Sequence, residues 1–162
     1  GAARAGGHRR QAPAAGDPIA AHRALLDRAH ALFSVEGPRS AVIVVADRPP
    51  VTSTLYQASK LLPPAGALLE EGGTLILVAE CDAGTGPLSR DNDGIYRLGV
   101  ARQLPAQHRV LLVSALPEAE ARKSYAEPAA NLSEALREAL ARHAVDSAVL
   151  LWRAGESIAR AL

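Results

Sequence analysis

The chain has 162 residues, which is long enough to bury a hydrophobic core. Because 48% of the residues are hydrophobic and only 3% are aromatic, that core must consist mainly of aliphatic side chains. Its 18 basic residues nearly balance its 17 acidic ones, which gives no support to a nucleic-acid partner. One cysteine excludes an internal disulfide and a cysteine cluster for a metal. No apolar run approaches the roughly 20 residues that span a bilayer. We therefore expect a soluble, cytoplasmic protein with no membrane partner.

The beginning of the chain differs in composition from the rest. Residues 1–16 are rich in Gly, Ala, Arg and Pro and lack apolar periodicity, which predicts a flexible or truncated tail. Asp17 and Pro18 then predict the start of a helix, because Asp caps free amides and Pro suits the first helical position. Residues 17–38 are predicted as a linker helix in front of a domain of residues 39–162. The sequence contains no methionine, which leaves open a longer native product.

The next elements predict a parallel sheet. Residues 40–46 and 74–79 are continuous apolar runs, typical of strands that are covered on both faces. A helix that begins at Leu55 lies between them, which predicts a right-handed βαβ unit. Pro63-Pro64 predicts a break or kink in that helix, and Gly72-Gly73 predicts a turn before the second strand. The predicted fold class is α/β, a three-layer Rossmann-like domain with a mainly parallel sheet, preceded by a linker helix.

The second half of the chain continues this alternation of strands and helices. The predicted elements are a helix over 89–104, a strand over 110–114, a short helix from Pro117 to about Tyr125, a long helix from Asn131 to about His143 and a strand over 145–152. Strands that alternate with helices in this way are typical of α/β domains.

Two loops are candidates for a functional site, because α/β proteins bind ligands outside the carboxyl ends of their strands. Residues 47–54 follow the first strand, and residues 80–86 follow the second. Cys81 is interpreted as a small buried thiol, because no histidine lies close in sequence to activate it. Gly84-Thr85-Gly86 has the composition of a phosphate-binding loop but lacks the helix-opening context of a dinucleotide fingerprint.

One lysine is a further candidate. Lys60 is one of only two lysines in a chain with sixteen arginines, so arginine serves at most cationic positions. A retained lysine indicates a need for a compact, flexible charge that the planar guanidinium does not copy. Gln57 precedes it by three residues, which places both side chains on one helix face. On spacing alone, an ordinary pair of solvent-facing side chains remains the alternative.

Residues 55–86 carry a spaced set of residues on a helix, a Gly-Gly turn, an apolar strand and a loop. The set consists of Tyr56, Gln57, Lys60, Gly72, Gly73, Ala79, Cys81, Gly84 and Gly86. It resembles the C-terminal domain of the nickel-pincer-nucleotide-dependent lactate racemase family, which has a Tyr-Gln-x-x-Lys helix and an Ala-x-Cys-x-x-Gly-x-Gly loop at the same spacing. Gly16-Asp17 and Ala21-His22-Arg23 match the family's stretch between its two domains, so residues 17–38 resemble an interdomain linker.

The resemblance implies a function. Such enzymes invert a 2-hydroxy acid by moving a hydride between its α-carbon and a nickel-pincer nucleotide that the N-terminal domain holds. That domain also supplies the acid/base histidines, so no catalytic residue or metal ligand is assigned to this chain. Gln57 and Lys60 are expected to bind the substrate, with Lys60 on its carboxylate or oxygen. The implied partners are a small 2-hydroxy acid and an N-terminal cofactor-binding domain of the same or a partner chain.

Further residues are candidates for the loops of the site. They are Tyr56, Asp47, Arg48, Thr52, Glu80, Gly84 and Gly86.

One of the two loops departs from the family. There the family has Gly-Gly-x-Pro-x-Asp-x-Asn, whereas this chain has Asp47, Arg48, Pro50, Thr52 and Thr54 and keeps only the proline. Charged residues in place of two glycines predict a different backbone or a different ligand at this edge. They argue against lactate as the substrate.

Two other function classes stay open. One is a free-standing α/β binding or regulatory module that has lost its catalytic domain. The other is an unrelated doubly wound enzyme that binds a nucleotide at the carboxyl-end loops. Nucleotide binding by the isolated chain would favour the latter.

Overall fold

The computed structural model describes residues 16–36, 38–86, 104–145, 148–151 and 158–160. The chain divides into two compact units, Gly1–Leu32 and Phe33–Leu162. Helix α1, Pro18–Phe33, begins where the sequence predicts but ends before residue 38, because Ser34–Glu36 form a strand. The Asp17 carboxylate accepts a hydrogen bond from the amide of Ala20 at 2.8 Å, so the predicted cap is confirmed. None of the described helices has both the length and the apolar character that crossing a membrane requires.

The remaining elements alternate between strands and helices. In chain order they are β1 Ser34–Glu36, β2 Arg39–Val45, α2 Leu55–Ala58, a 3₁₀ turn Ser59–Leu61, α3 Leu62–Gly66, β3 Leu69–Val78, β4 Arg109–Val113, α4 Glu118–Ala121, β5 Glu127–Pro128, α5 Leu132–His143, β6 Val149–Leu151 and β7 Ile158–Arg160. Strands β1 and β7 form a separate parallel pair.

The other five strands form one sheet in the order β5-β4-β3-β2-β6, and every pairing in it is parallel. Alternate side chains of the central strands therefore point to opposite faces. Val44 and Leu77 pack on one face with Leu55 and Leu62, which belong to α2 and α3. The opposite face packs against Ala135 and other residues of α5. These three layers confirm the predicted α/β class.

Two local predictions were wrong. Gly72-Gly73 lies inside β3 rather than in a turn before it, because pairing with β2 extends past the glycines. The register of that pairing shifts there, and Gly72 has a φ of +73°, so the pair forms a bulge. The helix after Leu55 also breaks earlier than predicted, in the 3₁₀ turn. Pro63-Pro64 lies in the first turn of α3, where an N–H has no partner within the helix, so the missing N–H of proline costs no hydrogen bond.

Of the other predictions, some are confirmed, one is confirmed only in part, and some fall on residues outside the described ranges. The strand predicted over 110–114 is β4, and Asn131 caps α5 through a 2.9 Å hydrogen bond from the amide of Glu134 to its side chain. The short helix after Pro117 is present but ends at Ala121, before the predicted end near Tyr125. The two-residue strand β5 was not predicted, since Glu127 and Pro128 have no strand propensity. The helix predicted over 89–104 falls almost wholly outside the described residues, and so does the end of the last predicted strand.

Candidate functional site

The carboxyl ends of β2, β3 and β4 lie side by side. Beyond the strands, the amide of Ala46 donates to the carbonyl of Val78 at 2.9 Å, and that of Ala79 donates to Val113 at 3.1 Å. The segments that follow, residues 46–54, 79–86 and 114–117, therefore share one edge of the sheet. The strand order also reverses between β2 and β6, which is where α/β sheets bind ligands.

Hydrogen bonds join the loop after β2 to the loop after β3. The hydroxyl of Thr52 accepts the amide of Glu80 at 2.8 Å, and the Thr52 carbonyl accepts the amide of Cys81 at 2.7 Å. The carbonyl of Ser53 accepts the amide of Ala83 at 3.0 Å. These hydrogen bonds thus join the two predicted site loops into one unit.

The same two loops provide the hydrogen-bond acceptors for the first amides of α2. The amides of Leu55 and Tyr56 donate to the carbonyls of Gly84 and Thr85 at 3.1 and 3.2 Å. The next amide donates to the hydroxyl of Thr54, also at 3.2 Å. Helix amides bind phosphate only when they are unsatisfied. Since these three already have acceptors, this helix terminus offers no phosphate site, which weakens the nucleotide alternative.

The structure brings Tyr56, Gln57 and Lys60 together. The Lys60 ammonium donates to the side-chain oxygen of Gln57 at 2.6 Å. It also lies 5.2 Å from the centre of the Tyr56 ring, within the range of a cation–π interaction. Gln57 and Tyr56 are half-buried, while Lys60 is exposed. The group therefore presents an oriented ammonium to solvent.

The two lysines differ in their partners. Lys123 pairs with Glu120 at 2.7 Å. Lys60 forms no ion pair with any residue that the structure describes. An ammonium carries three donors, and the amide of Gln57 takes one of them. Lys60 can therefore offer charge-assisted hydrogen bonds to an incoming carboxylate.

Charged candidate residues surround the edge of the sheet. Asp47, Arg48 and Glu80 are exposed where β2 and β3 end. Asp47 and Arg48 have ordinary negative φ angles, so the backbone at these positions does not require glycine. Both residues therefore add exposed charge to this edge without backbone strain.

The remaining candidates are built into the loops. Thr52 is only 6% exposed, and its hydroxyl is used by the amide of Glu80. Gly84 and Gly86 have φ angles of +84° and +71°, a conformation that side chains disfavour. Thr54 stands where the family has asparagine and still caps α2, since both residue types are good caps. These residues shape the site.

Cys81 is poorly suited to act as a nucleophile. It is 2% exposed, and burial, helped by the nearby Asp82 carboxylate, raises the pKa of its thiol to about 11. The reactive form of cysteine is the thiolate, which is scarce at neutral pH when the pKa is raised in this way. The structure agrees with the sequence interpretation of a buried thiol.

The described residues do not fit a metal centre. Across the ranges that the structure describes, no three His, Cys, Asp or Glu side chains are grouped so that they could hold a metal ion.

A cluster of charged side chains lies at the amino ends of β4 and β5, away from the loops described above. Arg109, at the start of β4, donates to Glu127 of β5 through two nitrogens and to Glu138 of α5 at 2.5 Å. The hydrogen bond from Arg109 is the main cause that lowers the pKa of Glu127. The partners are 18 and 29 residues apart, so no local pattern could predict them. The cluster joins β4, β5 and α5.

No protein-family model matches the chain, and no curated protein sequence is similar to it. Among solved structures, the chain is similar to the lactate racemase apoprotein from Thermoanaerobacterium thermosaccharolyticum, with a TM-score of 0.69 and 21% sequence identity. The match covers 86% of this chain and 40% of the racemase chain, so this chain spans well under half of that protein. The similarity shows a lactate-racemase-like fold.

Proposed function

We propose that the chain is the substrate-binding C-terminal domain of a nickel-pincer-nucleotide-dependent 2-hydroxy-acid racemase or epimerase. The observation that carries the proposal is the exposed Lys60 ammonium, which is oriented by Gln57 and has no acidic partner among the described residues. The lactate-racemase-like fold supports it. In this proposal residues 1–16 are a tail, residues 17–38 link two domains and residues 39–162 form the C-terminal domain.

The role of each residue follows from its donors. Lys60 binds the carboxylate or the oxygen of the substrate through the donors that Gln57 does not use. The side-chain oxygen of Gln57 faces Lys60, so its NH₂ group is left to donate beside it. The Tyr56 ring helps to hold the ammonium in place. Such preset donors stabilise the negative charge of a bound acid without reorganisation.

The cofactor belongs to another domain in this proposal. When bound there, the nickel-pincer nucleotide supplies a hydride acceptor. The described residues of this chain offer no ligand set for its metal. Their task is to bind and orient the acid over a cofactor held by an N-terminal domain of the same or a partner chain. The match to only 40% of the racemase chain is consistent with this division.

The substrate is a 2-hydroxy acid other than lactate. Asp47 and Arg48 place exposed charges at the edge where the family has two glycines. A charged edge costs free energy to desolvate against a methyl group. It suits an acid whose side chain is polar.

Titration of the chain with 2-hydroxy acids tests the proposal. We expect D- or L-glycerate or malate to shift the side-chain amide resonances of Gln57 in a ¹H–¹⁵N spectrum, and lactate to shift them less. Acetate should shift them less, because it lacks the hydroxyl that Gln57 would contact. The response should vanish in Lys60→Ala and persist in the matched control Lys123→Ala. Shifts that survive Lys60→Ala, or that no 2-hydroxy acid produces, would contradict the proposal.

A further inference from the structure

Thr52 is the residue through which the loop after β2 is joined to the end of β3. Its amide donates to the carbonyl of Arg48 at 3.2 Å, which closes a turn inside the first loop. Its hydroxyl accepts the amide of Glu80 at 2.8 Å, and its carbonyl accepts the amide of Cys81 at 2.7 Å. At 6% exposure, the hydroxyl has little water to replace these bonds.

The hydrogen bonds continue from this junction to α2. The loop that Thr52 holds on β3 turns back, and the carbonyls of Gly84 and Thr85 accept the first two amides of the helix. Two residues after Thr52, the hydroxyl of Thr54 accepts the third. Both loops therefore fix the position at which α2 begins. Lys60 follows in the 3₁₀ turn directly after α2, so the location of its ammonium depends on that position.

We propose that Thr52 is a positioning residue, whose buried hydroxyl holds the two loops as one unit and so sets the location of Lys60 and Gln57 at the carboxyl edge. The proposal rests on the proposed function only for the identity of the ligand that Lys60 binds. The mechanical coupling from Thr52 to Gln57 stands on the hydrogen bonds alone. Thr52 itself does not contact the ligand.

The test replaces the hydroxyl by a methyl group of similar size. In Thr52→Val we expect the Glu80 amide to exchange with solvent about tenfold faster, since one hydrogen bond is lost. The side-chain resonances of Gln57 should shift although none of the described hydrogen bonds joins Gln57 directly to Thr52. Thr52→Ser keeps the hydroxyl and should restore both. Because no ligand is present, these results are independent of the titration with 2-hydroxy acids.

A second buried threonine provides the matched control. Thr74 is fully buried and its hydroxyl is hydrogen-bonded to the Nε2 atom of His143 at 2.8 Å, in the part of β3 that pairs with the start of β4. Thr74→Val removes a comparable hydrogen bond and should leave the Gln57 resonances in place. If Thr52→Val lowers the melting temperature as Thr74→Val does and leaves Gln57 unmoved, Thr52 is merely structural and the proposal is overturned.

Native-state hydrogen exchange keeps the proposal testable if Thr52→Val fails to fold. In the wild-type chain, the amides of Glu80, Cys81, Leu55 and Tyr56 should open together, because they belong to one unit. Their protection factors should agree within about threefold. Protection factors of Leu55 and Tyr56 that differ more than about threefold from that of Glu80 would overturn the coupling.

Discussion

Replacing Lys60 by alanine in the complete enzyme is expected to lower kcat/KM for a 2-hydroxy acid by about 10²–10³-fold, the cost of removing one preset charge-stabilising donor. The ammonium is exposed, is oriented by Gln57 at 2.6 Å and pairs with no described acid, so in the proposed role its loss would leave the substrate carboxylate without its cation. Protein stability should change little, because exposed side chains contribute little to folding. Steady-state racemisation kinetics measure the effect.

Two variants serve as controls for Lys60→Ala. Lys60→Arg keeps the charge but replaces a compact ammonium by a planar fork, so it should recover only part of the activity. Lys123→Ala removes the other lysine, whose partner is Glu120, and should leave kcat/KM unchanged. Near-normal turnover in Lys60→Ala would remove Lys60 from the site.

Replacing Gly86 by alanine is expected to destabilise the fold by about 2 kcal/mol, of which about half comes from the positive φ and the rest from crowding. Gly86 has a φ of +71°, and an added Cβ would lie 3.0 Å from the Thr54 hydroxyl and 3.1 Å from the Cβ of Tyr56. These neighbours belong to the cap and first turn of α2. The substitution should therefore also disturb substrate binding. Urea unfolding measures the loss of stability.

Gly84 is the matched control for Gly86. Its φ of +84° is equally unfavourable for alanine, but an added Cβ would meet nothing within 4 Å. Gly84→Ala should therefore cost only about 1 kcal/mol, the conformational part alone. Equal losses for the two variants would show that the contact with α2 does not matter.

The strands of the sheet could be predicted because their signal is local. A continuous apolar run marks a strand that is buried on both faces, and the runs over 40–46 and 74–79 end within one residue of β2 and β3. The start of α5 was equally clear, since Asn131 combines a cap with an apolar stripe. In these elements local propensity and tertiary packing agree.

Prediction failed where tertiary pairing overrides local preference. Gly72-Gly73 favours a turn in isolation, yet β3 extends back to Leu69 because its pairing with β2 continues through a bulge. An added Cβ at Gly73 would lie 2.8 Å from the Leu69 side chain, so this bulge has room only for glycine. The pairing partner is not visible in the local sequence.

The contacts of the candidate site also fall into two groups, local ones that the sequence predicts and long-range ones that it does not. The contact between Gln57 and Lys60 could be predicted, because side chains three apart on a helix are neighbours. The bond between Thr52 and Glu80 joins residues 28 apart, and only the parallel pairing of β2 and β3 brings them together. Thr52 therefore stood in the sequence only as a candidate site-loop residue.

The most direct test compares this chain with the longest native product that contains it. Nickel content and racemisation of 2-hydroxy acids should be measured side by side on both. If the chain is the substrate-binding domain of a larger enzyme, the longer product carries nickel and racemises a 2-hydroxy acid, while this chain does neither. A longest product without nickel and without racemase activity would contradict the account, and so would racemisation by this chain alone.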